Sequence, residues 1–162
     1  MVLVNELKGS NEELNIHKEN VIEMISAYGF PSDMEICLLE IDKLPDHLSD
    51  WQTINSGMIG NLRSFFEVLV KGIAAKIKTK TGKDYPKYKP SEMGNKREYI
   101  KEQLGLSEKD NKLIDSFVDI LIKEGGHAFT SDKKHFMLTK NIGIELAYFL
   151  LSVYEETFET RA

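Results

Sequence analysis

Cysteine occurs once in these 162 residues, at Cys37. No internal disulfide can form, so the chain must hold together by packing alone, which suits a reducing compartment. Its neighbours, Met34-Glu35-Ile36 and Leu38-Leu39, offer no cation to support a thiolate, and Cys37 is expected to be a small buried hydrophobe. Proline is nearly as scarce, with four in all, at Pro31, Pro45, Pro86 and Pro90. No uncharged apolar run reaches the length of a membrane span: the most apolar segment, Ile142 to Tyr154, carries Glu145. The start, Met1-Val2-Leu3-Val4-Asn5-Glu6, lacks the basic and apolar regions of a secretory signal. A cytoplasmic protein with no membrane partner is the expectation.

Several chemistries are missing as well. His127 and His135 flank a helix junction, but neither a zinc-finger spacing nor a His-Glu-x-x-His pattern accompanies them, so no metal is expected. Gly57 and Gly60 sit inside a helical pattern with no strand before them, and both the P-loop and the dinucleotide fingerprint are absent. No serine occupies a nucleophile elbow. No cofactor is expected.

What is present belongs to one domain over residues 1–162, with 41% apolar and 29% charged residues, enough for a substantial core. The net charge of −5 conceals an asymmetry. Residues 1–60 carry 11 acidic and 3 basic side chains, whereas residues 71–101 carry 10 basic and 3 acidic ones. Two readings of that basic stretch stay open. It could meet phosphate, or it could be a solvated helix end and loop packed near the acidic N-terminal part.

Apolar residues recur with helical period almost throughout. A helix is expected over about 11–28, with Leu14, Val21, Ile22 and Ile25 inward, stopped by Gly29 and Pro31. Ser32 and Glu35 stand at capping-box spacing before a short helix to Ile41. Ser49 and Gln52 repeat that spacing ahead of a long helix to about Lys78, whose inward face holds Ile59, Leu62, Phe66, Leu69, Ile73 and Ile77. Glycines inside it, Gly57, Gly60 and Gly72, imply close packing or a kink. Residues 79–96 are expected to be loop, because Gly82, Pro86, Pro90 and Gly94 oppose regular structure. Helices over about 96–104, 108–124 and 132–158 complete an all-α, up-and-down helical bundle with two shorter N-terminal helices. Within it, residues 1–48 form an acidic helical extension and residues 49–162 the bundle proper. The apolar width of the Met58–Ile77 and Ile142–Tyr154 helices points to a two-fold homodimer.

Two places could carry function. In the basic segment, Tyr85, Tyr88 and Tyr99 alternate with Lys83, Lys87, Lys89, Lys96 and Arg97. Aromatic faces stack on unpaired bases while cations meet the backbone, a composition suited to single-stranded RNA. Equally, the tyrosines could tether a long loop while the lysines keep it solvated. The second place is His127 in Gly125-Gly126-His127-Ala128-Phe129-Thr130-Ser131. An imidazole there could move a proton in RNA cleavage, with Lys123, Arg63 or Lys140 meeting the developing phosphorane charge. It could instead cap the helix before it.

The pattern Leu62-Arg63-Ser64-Phe65-Phe66-Glu67, then Gly126-His127-Ala128, then Leu138-Thr139-Lys140-Asn141 ahead of Ile142-Gly143-Ile144-Glu145-Leu146, resembles HEPN-like bacterial proteins. The likeness is greatest to those found with abortive-infection and toxin–antitoxin systems, and it spans about residues 56–158. It implies a helical bundle, a homodimer and, in active members, a metal-independent RNA endonuclease in which an arginine precedes a histidine by four to six residues. Here Lys123 stands four positions before His127, and Arg63 lies on another helix. The resemblance thus implies an RNA-associated role in bacterial stress or phage defence, as a ribonuclease or a degenerate one. His127 would be the general acid/base, with Lys123 and Arg63 beside it. Lys83, Tyr85, Lys87, Tyr88, Lys89, Lys96, Arg97 and Lys140 are the candidate RNA contacts. The alternative is a non-catalytic module for protein–protein interaction or dimerisation, with the acidic N-terminal region as a surface for a protein partner.

Overall fold

A helix whose apolar residues extend most of the way round needs neighbours on several sides, and the segment around Leu62–Ile77 is of that kind. In the computed structural model, Leu62, Phe65, Phe66, Leu69, Val70, Ile73, Ala74 and Ile77 are all 3% exposed or less. The structure describes the backbone of residues 2–42, 51–125 and 133–160, and the side chains of residues 12–42, 60–122 and 136–160. Among these residues there are six α-helices and no strand: α1 (Val2–Ala27), α2 (Ser32–Asp42), α3 (Trp51–Thr81), α4 (Glu92–Gln103), α5 (Glu108–Gly125) and α6 (Lys133–Tyr154). A π-turn over Glu155–Glu159 continues α6, with the Thr160 N–H donating to the Glu155 carbonyl at 3.0 Å. The fold is the expected all-α bundle. Helix α3 is its axis, touching α2, α4, α5 and α6, while α1 lies across α6 and α2.

Close approach of α2 to α3 depends on Gly72. A Cβ there would stand 2.7 Å from Met34 Sδ, so the glycine read from the sequence as a packing device is one. Gly60 has open space around it and plays no such part. Gly29 and Gly105 end α1 and α4 with φ of +68° and +64°, as expected of helix stops. Ser107 caps α5, its Oγ accepting from the Asp110 N–H at 3.2 Å.

Three boundaries differ from expectation. Helix α1 has 26 residues and is not a short element, because Gly9 and Ser10 lower helix propensity without breaking the hydrogen-bond ladder. The irregular segment is 82–91, not 79–96. Helix α3 runs on to Thr81 until Gly82 turns the chain at φ +72°, and α4 begins at Glu92. Gly94 does not break α4, since it sits in the first turn with its N–H donating to Ser91 Oγ at 2.9 Å. Third, the apolar stretch of the last helix is longer than Ile142–Tyr154: Phe136–Glu159 meets the length and composition of a membrane span, and half of it is buried in the bundle.

The acidic N-terminal helices are built into the bundle. Val21, Met24, Ile25, Met34, Leu38 and Ile41 join the same core as α3 and α6. Polar contacts tie the junction further. Lys140 of α6, only 6% exposed, lies 3.5 Å from Asp42 Oδ1, while Lys18 of α1 donates to Asp42 Oδ2 at 2.7 Å. Nearby, His17 stacks on Tyr148 with ring centres 4.2 Å apart and meets both Glu145 oxygens through Nδ1, at 2.8 and 2.9 Å. Cys37 is half-buried against the core, and desolvation, with Glu40 and Asp33 beside it, raises its thiol pKa.

Asp42 therefore holds one carboxylate between two ammonium groups on different helices. Desolvation pushes its pKa up, but Lys18 and Lys140 outweigh this and leave it below the usual carboxylate range. A depressed carboxylate contributes stability that is complete above its unfolded pKa of about 3.9 and is lost as the pH falls through the lower folded value. Asp42→Ala should cost about 2 kcal/mol near neutral pH, less than the 3–5 typical of a fully buried pair because Asp42 keeps some solvent. Adding Lys140→Met should restore much of it by removing the stranded charge. Chemical denaturation of both variants checks this; a double variant no more stable than Asp42→Ala would refute the assignment.

Candidate nucleic-acid interface

The connection from α3 to α4 is ten residues of chain without helix, yet hydrogen bonds hold both its ends. At the start, the Tyr99 hydroxyl donates to the Lys83 carbonyl at 2.9 Å, and the Lys83 N–H donates to Thr81 Oγ1 at 3.2 Å. At the end, Asn95 grips the Lys89 peptide from both sides: Oδ1 accepts from its N–H at 2.7 Å and Nδ2 donates to its carbonyl at 3.1 Å. Between these points Tyr85 packs edge-to-face on Tyr99 at 4.9 Å, with the Lys78 and Lys96 ammonium groups 4.7 and 5.4 Å from its ring centre.

The three tyrosines thus divide. Tyr99 is a core residue, 1% exposed, and Tyr85 is its partner, so these two tether the loop. Tyr88 is 70% exposed and keeps a free ring face. A shallow cleft of about 540 Å³ lies beside the tether, bordered by Lys78, Asp84, Tyr85, Lys87, Glu92 and Asn95.

The cations divide in the same way. Lys78 pairs with Asp84 at 3.3 Å, Lys80 with Glu159 at 3.1 Å, Lys96 with Glu92 at 2.7 Å, and buried Lys101 with both Glu98 and Asp115 at 3.1 and 2.6 Å. Lys71, Lys76, Lys83, Lys87, Lys89 and Arg97 have no ion pair among the described residues. No acidic side chain of residues 12–42 pairs with a cation of 71–101. Of the acidic side chains in residues 12–42, Asp42 makes its ion pairs at the α6 junction, with Lys18 and Lys140.

Of the groups considered for catalysis, Lys140 and Arg63 have described side chains, and each has a carboxylate partner. Lys140 is buried on Asp42, and desolvation lowers its ammonium pKa against the pull of that carboxylate. Arg63 lies on α3, with Nε donating to Glu67 Oε1 at 3.1 Å. His127 lies outside the described residues, and Lys123 is described only as a backbone position in α5. Among the described residues no cluster of His, Cys, Asp and Glu could hold a metal ion.

One polar group escaped the sequence reading. Tyr28 donates to Glu155, and Tyr154 donates to Glu159 Oε1 at 2.6 Å, with Lys80 on the same oxygen at 3.1 Å. Burial, then the Glu159 carboxylate, push the Tyr154 hydroxyl pKa far above its ordinary value. The run Tyr154-Glu155-Glu156 was visible, but its partner Tyr28 is 127 positions away from Glu155.

No family model, curated protein or solved structure matches the chain.

Asn95→Ala should free the C-terminal end of the loop. Two hydrogen bonds of about 0.5–1.5 kcal/mol each set the scale of the stability lost. Amide exchange at Lys89 should accelerate far more than exchange in α3. Unchanged protection at Lys89 would show that the loop is held by something other than Asn95.

Proposed function

We propose that this is a HEPN-like, RNA-associated protein of bacterial stress or phage defence, which holds single-stranded RNA along the α3–α4 edge. The observation that carries the reading is the surplus of cations there. Lys83, Lys87 and Lys89 sit on one tethered loop beside exposed Tyr88, and none of them has an ion pair among the described residues. A fixed array of charges loses less entropy on binding than a mobile one. Backbone phosphates meet the lysines while a base stacks on Tyr88. Of the groups assigned to cleavage, Lys140 is buried against Asp42, and the reading rests on binding.

Affinity for a short single-stranded RNA should fall steeply with salt, since each neutralised phosphate contributes about −0.7 to the slope of log K against log salt. Lys87→Glu with Lys89→Glu should weaken binding and flatten the slope by about 1 to 1.5, without lowering thermal stability. Fluorescence anisotropy at two salt concentrations measures both quantities. Absence of binding at low salt overturns the reading.

A second reading, a helical dimerisation module, draws on a separate surface. Between α5 and α6 runs a mainly apolar groove of about 480 Å³, lined by Leu113, Ile142, Leu146 and Phe149 with Asp110, Glu145 and Asn141, whose buried Oδ1 accepts no hydrogen bond among the described residues. Leu113 is 51% exposed and Leu138, on α6, 58%. A second copy docked there would cover apolar surface that the single chain leaves in water. Sedimentation at roughly 50 micromolar, enough to populate a micromolar association, should give a dimer that Leu113→Arg converts to monomer. A wild-type monomer at that concentration would rule this reading out.

A further inference from the structure

Phe117 of α5 meets α6 at Gly143, where a Cβ would stand 3.2 Å from the ring. Residues earlier in α5, Asp110 and Leu113, line the α5–α6 groove together with residues later in α6, Leu146 and Phe149. The two helices therefore run antiparallel, and the groove has two ends. Asp110 stands at the Phe149 end, Asn141 and Ile142 at the other. Leu138, 58% exposed, continues the same face of α6 one turn beyond Ile142. From Leu138 to Phe149 is a stripe of about 16 Å along the helix.

The charge of this lining has one sign. Asp110 and Glu145 are its ionisable groups, and no Lys, Arg or His accompanies them among the described lining residues. Glu145 has one partner, His17 Nδ1, at 2.8 and 2.9 Å. Asp110, half-buried, has no ion pair among the described residues. Asn141 adds a buried Oδ1 that accepts no hydrogen bond among the described residues. Acceptors are in surplus, so the groove favours a ligand that brings donors and positive charge. Its apolar length favours a ligand that also brings a narrow apolar body to displace water from Leu113, Ile142 and Leu138. A volume of about 480 Å³ falls within the roughly 300–1,000 Å³ of sites that hold small molecules. An anion is disfavoured, which sets this groove apart from the cationic α3–α4 edge.

We propose that the α5–α6 groove binds a hydrophobic primary amine, an alkyl chain ending in an ammonium group. The ammonium sits on Asp110, and the chain lies past Leu113 and Leu146 toward Ile142 and Leu138. This goes beyond the RNA reading and does not depend on it. A second copy of the chain is the rival occupant of the same groove.

Calorimetric titration of the full chain with decylamine, decanol and decanoate tests the proposal, because the three share one chain length and differ in head charge. Decylamine should bind at least about tenfold tighter than decanol, and decanoate more weakly still. Asp110→Asn keeps the shape of the side chain and removes its charge. It should bring decylamine to the affinity of decanol, a loss of about tenfold or more, and leave decanol unchanged. Leu113→Ala should weaken decylamine and decanol by a similar factor, since it removes apolar contact alone. Equal affinity for all three amphiphiles would mark apolar contact only and overturn the proposal, as would decylamine binding that Asp110→Asn leaves intact. No heat with decylamine at about 1 mM, enough to reveal millimolar affinity, overturns it whatever the oligomeric state. A dimer in sedimentation alongside that result gives the groove to a second copy.

Discussion

Helix α3 is covered along its middle on all but one stripe, through Ser64, Lys71 and Ala75, and the other helices are arranged by that fact. A 31-residue helix buried from Leu62 to Ile77 cannot be covered by one neighbour, so α2, α4, α5 and α6 each take a strip of its surface. Residue size then decides how near they come. Gly72 lets Met34 settle against the α3 backbone, and Gly143 does the same for α6, where a Cβ would stand 2.9 Å from a Leu62 methyl. Larger residues at either place would push a helix outward and open voids along a core that is otherwise sealed, at a cost set by lost contacts as well as by exposed area.

Charge is distributed by the same geometry. Where a cation must be buried, a carboxylate from another helix meets it: Lys140 has Asp42, and Lys101 has Asp115. These pairs cross element boundaries, so they fix which helix sits beside which, even if their net contribution to stability is small after desolvation. Lys78 and Lys80 have a structural reason of another kind. They occupy the last turn of α3, where cations complement the helix dipole, and each also has a carboxylate partner.

Much of this was legible in sequence because it is local. The 3.6-residue period of Leu62, Phe66, Leu69, Ile73 and Ile77 identifies a buried helix, Gly29 and Gly105 stop helices where their left-handed conformation is needed, and Ser107 caps. The errors came from residues whose effect depends on position within an element. Gly94 reads as a breaker, yet in the first turn of α4 it costs little and leaves room for Ser91 and Lys89. The first helix is expected from about residue 11, yet α1 begins at Val2. At the candidate interface, composition identified the cations but could not sort them. Tyr85, Tyr88 and Tyr99 look alike in sequence, and only the fold reveals that Tyr99 is core, Tyr85 its partner and Tyr88 free. Pairings such as Lys140 with Asp42 or Lys101 with Asp115 join distant positions and leave no local trace.

The cations that remain after this sorting are the informative ones. Lys78, Lys80, Lys96 and Lys101 are accounted for by partners within the protein. Lys83, Lys87 and Lys89 lie past the end of α3 and ahead of α4 and have no ion pair among the described residues, and holding like charges on one short loop is mildly repulsive. A loop needed only for connection could be mobile and neutral. This one is anchored by Tyr99 at Lys83 and by Asn95 at Lys89, which keeps the repelling charges in a fixed array at some cost to the free protein. Such an arrangement favours a ligand that brings negative charge at regular spacing.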